Sequence, residues 1–288
     1  MKPGLCGAID QLVDEHRHGG RLGLFFDYDG TLTPIVEHPS KARLDCATRR
    51  LLGQLGCQER VHLGVISSRT IDDLRQLSRL TDVHLAGTGG MEFEFRGRRV
   101  SQPEMARACE LAAGLFTRLQ AQIGTMEGVW IENKGPTLTV HYRDADRQCI
   151  PSVEGLACGA LEPWAQEFCV ERGPMAIEFR PRFAWNKASA LERMVHDLEI
   201  ESPGLLFAGD AENDASALEY VRASGGVAIG VGPDAPGVAL YRLAGPAELS
   251  ALLGALLDAI GCHGRTARAD DEYVAMHGLW SRSFPASF

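Results

Sequence analysis

The apolar and polar positions of this chain follow one rhythm at its two ends and another in its middle. Leu22–Phe26 is a short apolar run, residues 45–55 repeat apolar positions at helical spacing, and Val61–Ile66 ("VHLGVI") is apolar again. Helical spacing returns over 70–77, behind Ser67 and Ser68, and Val83–Ala86 is one more strand-like run. The alternation resumes late. It predicts a helix over 187–198, a strand over 205–208 ("LLFA"), a helix over 214–220, a strand over 227–230 and an amphipathic helix over 247–260. Strand–helix alternation of this kind implies a parallel sheet with right-handed crossovers.

The middle reads differently. A long helical pattern over 103–123 precedes two alternating runs, "VWIENKG" and "TLTVHYR", on either side of Gly135-Pro136, which predicts a hairpin. A helix around 153–167 follows, then two strands about the Gly-Pro of "CVERGPMAIEFRP". The expected architecture is α/β: a Rossmann-like core formed by 1–102 and 183–288, interrupted by a smaller α+β insert over 103–182. A glycine-rich hinge near 97 and the segment 180–185 are expected to carry the motion of the insert. Residues 263–288 carry no periodicity and receive no role.

Composition changes this picture only by exclusion. A formal net charge of −9 over 288 residues disfavours broad binding to nucleic acid or to an anionic membrane. A small anionic substrate stays open, because local fields decide that question. The eight cysteines are scattered without any C-x-x-C pair, so they read as reduced thiols, most of them small core fillers. No signal-peptide pattern opens the chain, and no apolar run approaches the ~18 residues of a membrane span. A cytoplasmic protein is expected, with protein partners unspecified.

In an open parallel sheet, ligands bind outside the carboxyl ends of the strands. Asp27 and Asp29 follow the first strand, Ser67 the second, and Gly87-Thr88-Gly89-Gly90 the third; Asp210 and Asp214 follow "LLFAG". Carboxylates converging on one rim are the hard oxygen ligands that Mg²⁺ prefers. Residues at i and i+2 of an extended segment face the same way. Asp27 and Asp29 can thus divide labour at one centre, one as nucleophile and one as acid/base. Gly30 and Thr31 fit a tight turn whose N–H groups suit an anion.

"DYDGT", "VISSR", the lysine of "NKASAL" and "GDAEND", in that order, resemble the four motifs of the haloacid dehalogenase superfamily. An insert after the third strand is where that superfamily carries its C2-type cap. The resemblance implies that Asp27 attacks phosphorus and forms an aspartyl-phosphate, while Asp29 protonates the leaving oxygen and then activates water. It gives Ser67 a phosphoryl oxygen to hydrogen-bond and Lys187 the charge to offset. Asp27, the backbone carbonyl of Asp29, Asp210 and Asp214 would hold Mg²⁺.

Within that superfamily, "WIENKGPTLTVHYR", "IEFRP" and "LTPI" are similar to trehalose-6-phosphate phosphatases. The similarity implies that Glu132, Lys134 and Glu178 contact sugar hydroxyls, with Thr31 and Glu92 also on the substrate side. The chain departs from that pattern at Ser68, at Gly89 where the family has histidine, and within "GDAEND". The implied activity is Mg²⁺-dependent hydrolysis of a small sugar phosphate, trehalose 6-phosphate first. Alternatives are a phosphatase for another disaccharide, glycoside or secondary-metabolite sugar phosphate, and, further off, a phosphomutase. His141 and Arg143 are expected to be structural, and Trp130 to be core.

Overall fold

The computed structural model describes residues 3–95, 97–173, 175–183 and 185–261. The chain begins with α1 (Pro3–Arg17), β1 (Leu22–Phe26), α2 (Cys46–Gly56), β2 (Val61–Ile66), α3 (Ile71–Ser78) and β3 (His84–Gly87). There follow β4 (Glu92–Phe95), β5 (Arg98–Ser101), α4 (Met105–Ile123), β6 (Trp130–Asn133), β7 (Leu138–His141) and α5 (Ile150–Ala160). Then come β8 (Phe168–Gly173), β9 (Ala176–Pro181), α6 (Lys187–Leu198), β10 (Leu205–Gly209) and α7 (Ala215–Ala223). The chain closes on β11 (Val227–Val231), β12 (Tyr241–Leu243) and a helix, α8, over 246–261. Residues 263–288, to which the sequence assigned no role, lie outside the described residues.

Two compact units result. The first comprises the described parts of Met1–Val65, Leu77–Val83 and Leu191–Phe288; the second comprises Ile66–Gln76 and His84–Ala190. The expected insert, 103–182, falls inside the second unit, which also takes in flanking segments on both sides.

In the first unit the strands lie in the order β12-β11-β10-β1-β2, all parallel. Phe26 pairs with Ala208 and with Val65, so β1 has a neighbour on each edge. Every residue of β1, β10 and β11 is buried, which is why these segments read as continuous apolar runs rather than alternating ones. Asp45 caps α2, its Oδ1 accepting the N–H groups of Ala47 (2.8 Å) and Thr48 (2.9 Å), as short polar side chains do at helix starts. α1 was not expected; Leu5, Ala8, Ile9, Leu12 and Val13 nonetheless bury a stripe at helical spacing. The three-residue β12 is too short to show a pattern.

In the second unit β3, β4 and β5 form an antiparallel meander. Gly97, expected as a hinge, has φ +73° between two paired strands and is a hairpin turn. A separate four-stranded sheet runs β6-β7-β9-β8, antiparallel throughout. One face packs Leu138, Val140, Ile177 and Phe179 against Leu115 and Leu119 of α4 and Val153 and Ala157 of α5. α5 ends earlier than expected, and Glu162–Trp164 forms a separate 3₁₀ turn, since Pro163 offers no N–H to continue the helix.

Two smaller expectations are corrected. The seven described cysteines are free thiols, but none is a buried core filler: Cys6, Cys46, Cys57 and Cys149 are exposed and the other three half-buried. Trp130 is 36% exposed rather than core. Among the described residues no helix is long and apolar enough to cross a membrane.

Candidate active site

The first unit gathers its carboxylates at the ends of β1 and β10. Asp27 follows Phe26 directly, and its N–H donates to Ala208 O at 2.9 Å, extending the pairing of β1 with β10 past the last strand residue. Beyond it the chain turns tightly: Leu32 and Thr33 N–H both donate to Tyr28 O (3.0 Å each), and Gly30 N–H donates to Thr33 O (2.7 Å). Tyr28, between the two aspartates, is completely buried, and its hydroxyl donates to Ala42 O at 2.8 Å. Asp27 is buried and Asp29 half-buried. The D-x-D spacing is thus a local fold in which the middle side chain is an anchor.

Asp27, Asp210 and Asp214 each place a carboxylate oxygen within 4.8 Å of the others. Two glycines make that approach feasible. A Cβ at Gly30, where φ is +82°, would lie 2.0 Å from Asp210 Oδ2, and one at Gly209 would lie 2.5 Å from Asp214 Cγ. Asp214 is fully buried, and its Oδ2 accepts the N–H groups of Asp210 and Ala211 at 3.1 Å each. Thr31, expected beside the substrate, directs its hydroxyl to Asp210 Oδ1 at 3.3 Å. The donor set is three carboxylates with no soft ligand, and it fits a hard divalent cation such as Mg²⁺. The Asp29 carboxylate stands outside this triplet.

The second unit assembles other candidates around residues 87–90. Ser67 is buried just after β2; its N–H donates to Ala86 O (2.9 Å), and its carbonyl accepts Gly89 N–H (2.9 Å). Thr88 N–H donates to Arg69 O at 2.7 Å, so the loop after β2 and the turn after β3 are stitched together. Gly90 (φ +100°) lets the turn approach α6: a Cβ there would lie 2.9 Å from Ala190 Cβ. Asn186 caps α6 by accepting Ser189 N–H at 3.0 Å, which places Lys187 in the first turn, where it is 3% exposed. Ser67 and Lys187 therefore flank one turn.

Glu92 is buried beside that turn with both oxygens engaged. Oε1 accepts Ile71 N–H (3.1 Å) and the Thr88 hydroxyl (2.9 Å), and Oε2 accepts Arg99 (2.7 Å), which also binds Asp72. Thr88 is a β-branched residue at φ +53°, a costly conformation that the surrounding bonds hold in place. Sequence reasoning put Thr88 at the end of the third strand but gave it no role; the only further hint is a β-branched residue ahead of two glycines.

Glu132, Lys134 and Glu178 come together on the four-stranded sheet. Lys134 Nζ lies 3.6 Å from a carboxylate oxygen of each glutamate. His141 Nε2 donates to Glu132 Oε2 at 3.0 Å, and its ring stacks on Trp130 with centroids 3.9 Å apart. Burial opposes ionisation of Glu132, but the His141 hydrogen bond and the charges of Lys134 and Arg69 outweigh it. The carboxyl is held below its ordinary value. Arg180 pairs with Glu171 on the same sheet.

A parallel sheet with acidic residues at the carboxyl ends of its strands is the arrangement expected of the haloacid dehalogenase fold. Solved structures agree on the fold. One is a haloacid dehalogenase-like hydrolase from Bacteroides thetaiotaomicron, with TM-score 0.59 and 16% identity, covering 82% of this chain and 99% of that one. Another is the C-terminal domain of Candida albicans trehalose-6-phosphate phosphatase, with TM-score 0.73 and 23% identity, covering 87% and 96%. A trehalose-phosphatase family model matches residues 25–246, and the chain belongs to that family. A trehalose-phosphate phosphatase of Mycobacterium avium is 30% identical over 266 residues, which is 88% of this chain but 65% of that protein's length.

Proposed function

We propose that this protein is a cytoplasmic phosphomonoesterase that hydrolyses trehalose 6-phosphate to trehalose and inorganic phosphate. The observation that carries the proposal is the Asp27–Asp210–Asp214 triplet, cradled by Gly30 and Gly209. The substrate follows from the family and from the polar face around Glu132, Lys134 and Glu178.

In this reading Asp27, Asp210, Asp214 and the backbone carbonyl of Asp29 would hold Mg²⁺, which would offset charge on the transferring phosphoryl group. An Asp27 carboxylate oxygen attacks phosphorus as the bond to the sugar oxygen breaks, and Asp29 delivers a proton to that oxygen. Asp29 then removes a proton from water, whose oxygen attacks phosphorus. The bond to Asp27 breaks, phosphate leaves and the aspartate is restored. Ser67 donates to a phosphoryl oxygen, and Lys187 balances its charge. Residues 1–102 and 183–288 act as the hydrolase core and 103–182 as the substrate-specificity cap. Glu132, Lys134 and Glu178 hold sugar hydroxyls there, where unmatched polar groups penalise other sugars. Thr31 contributes by orienting Asp210, and Glu92 by fixing the turn that Ser67 borders.

The test is phosphate release from a panel of phosphorylated mono- and disaccharides, with Mg²⁺ and with EDTA. Trehalose 6-phosphate should lead the panel in kcat/KM, and EDTA should abolish turnover. Indifference to trehalose 6-phosphate, with another sugar phosphate preferred, would overturn the substrate assignment.

A further inference from the structure

The register of the four-stranded sheet lines up one transverse row of side chains. Glu132 pairs with Thr139, Thr139 with Glu178, and Glu178 with Glu171, and residues paired across strands share a face. Neighbouring Leu138 and Val140 pack into the core, so the row lies on the opposite, polar face.

Thr139 is the middle of this arrangement. Lys134 Nζ is 3.6 Å from Glu132 and 3.6 Å from Glu178, the two residues that flank Thr139 on either side. The ammonium is thus shared by the two carboxylates on either side of β7 at Thr139, and the threonine is only 6% exposed. Its Oγ1 is buried and has no hydrogen-bond partner among the described residues. Thr137 Oγ1, two residues earlier, is in the same condition.

A buried hydroxyl without a partner is costly, and natural cores rarely keep one. Valine would fill the same volume without that cost. The two spacings of 3.6 Å around Lys134 are also longer than hydrogen bonds, so this ammonium is not locked in place. Together these groups offer two acceptors, one cation with three donors and one hydroxyl that both donates and accepts. Adjacent hydroxyls of a sugar ring need that combination.

We infer that Thr139 is a specificity-determining contact for the sugar, its Oγ1 pairing with a ring hydroxyl once Lys134 moves aside. The inference rests on the proposed sugar-phosphatase reading and adds to it a residue selected for binding against folding stability.

The experiment compares Thr139→Val and Thr139→Ser with the wild type. Each is assayed with the best sugar phosphate of the panel and with p-nitrophenyl phosphate, which carries no sugar, and each is melted without ligand. T139V should reduce kcat/KM for the sugar phosphate about five- to tenfold, the effect of one hydrogen bond. It should leave p-nitrophenyl phosphate turnover unchanged and melt no lower than the wild type, and T139S should restore sugar phosphate turnover. Unchanged sugar phosphate turnover in T139V overturns the inference and leaves the proposed function standing. A lower Tm with both substrates equally impaired assigns the hydroxyl to folding and overturns it as well. A wild type that releases phosphate from p-nitrophenyl phosphate but from no sugar phosphate overturns both readings.

Discussion

Gly30 and Asp210 are mutually dependent: the carboxylate occupies the space in which any Cβ at position 30 would stand, 2.0 Å from Oδ2. The glycine is also left-handed, at φ +82°. Gly30→Ala should therefore displace Asp210 and strain the turn together. The expected result is a stability loss of about 1–3 kcal/mol and Mg²⁺ affinity weakened by roughly 10–100-fold. Thermal melts and calorimetric Mg²⁺ titration read the two effects separately.

Asp214 has a structural duty apart from the metal proposed to bind it. Asp214→Ala strips two N–H groups of their acceptor in a fully buried position, at a cost of about 1–3 kcal/mol. Asp214→Asn keeps an oxygen for those groups. It should melt near the wild type while requiring more Mg²⁺ for half-maximal rate. Equal melting of the two variants would refute this division.

Asp27→Asn keeps the shape of the side chain and removes the carboxylate proposed as nucleophile. Turnover should fall by a factor on the order of 10³ or more, with the melting temperature within a few degrees of the wild type. Wild-type phosphate release by this variant, with Mg²⁺ present, would end the aspartyl-phosphate reading.

Glu92→Ala releases Ile71 N–H, the Thr88 hydroxyl and one bond to Arg99 at once. A loss of about 1–3 kcal/mol is expected, with Thr88 freed from its left-handed conformation. Inhibition by inorganic phosphate should weaken, because Gly89 N–H fixes the Ser67 carbonyl through the same turn. Glu92→Gln should fall between the two in both measurements.

The pH dependence follows from Glu132. Its carboxyl titrates below the ordinary value of 4.5 when folded, so its contribution is complete above that pH and fades as pH falls through the folded value. Acid unfolding of the wild type should be steeper below pH 4.5 than that of Glu132→Gln. Parallel acid limbs in denaturant titrations would contradict this.

Much of this was legible because the relevant signals are local. Asp27, Ser67, Asp210 and Asp214 could be placed at strand ends because β1, β2 and β10 are short apolar runs followed by polar residues. The hairpin of β6 and β7 announced itself through Gly135-Pro136. What stayed hidden depends on contacts distant in sequence. The engagement of both Glu92 oxygens rests on residues 21 positions upstream and seven downstream, and "EFEF" followed by "RR" gives no sign of a buried ion pair. Thr139 looked like one polar residue of an alternating strand, and only the register set it between two glutamates. The cysteines misled because residue type predicts average burial, whereas each position is decided by the face on which it falls.

The ring of Tyr28 carries a kinetic consequence. Its hydroxyl reaches Ala42 O and its carbonyl receives two N–H groups of the same turn, so the loop that carries Asp27 and Asp29 cannot peel away without extracting a fully buried aromatic residue. Local opening there must break these three bonds and expose the ring, which sets it apart from an ordinary surface loop. The Leu32 and Thr33 amides should therefore exchange about as slowly as those of β1 and β10, which hydrogen-exchange measurements would check.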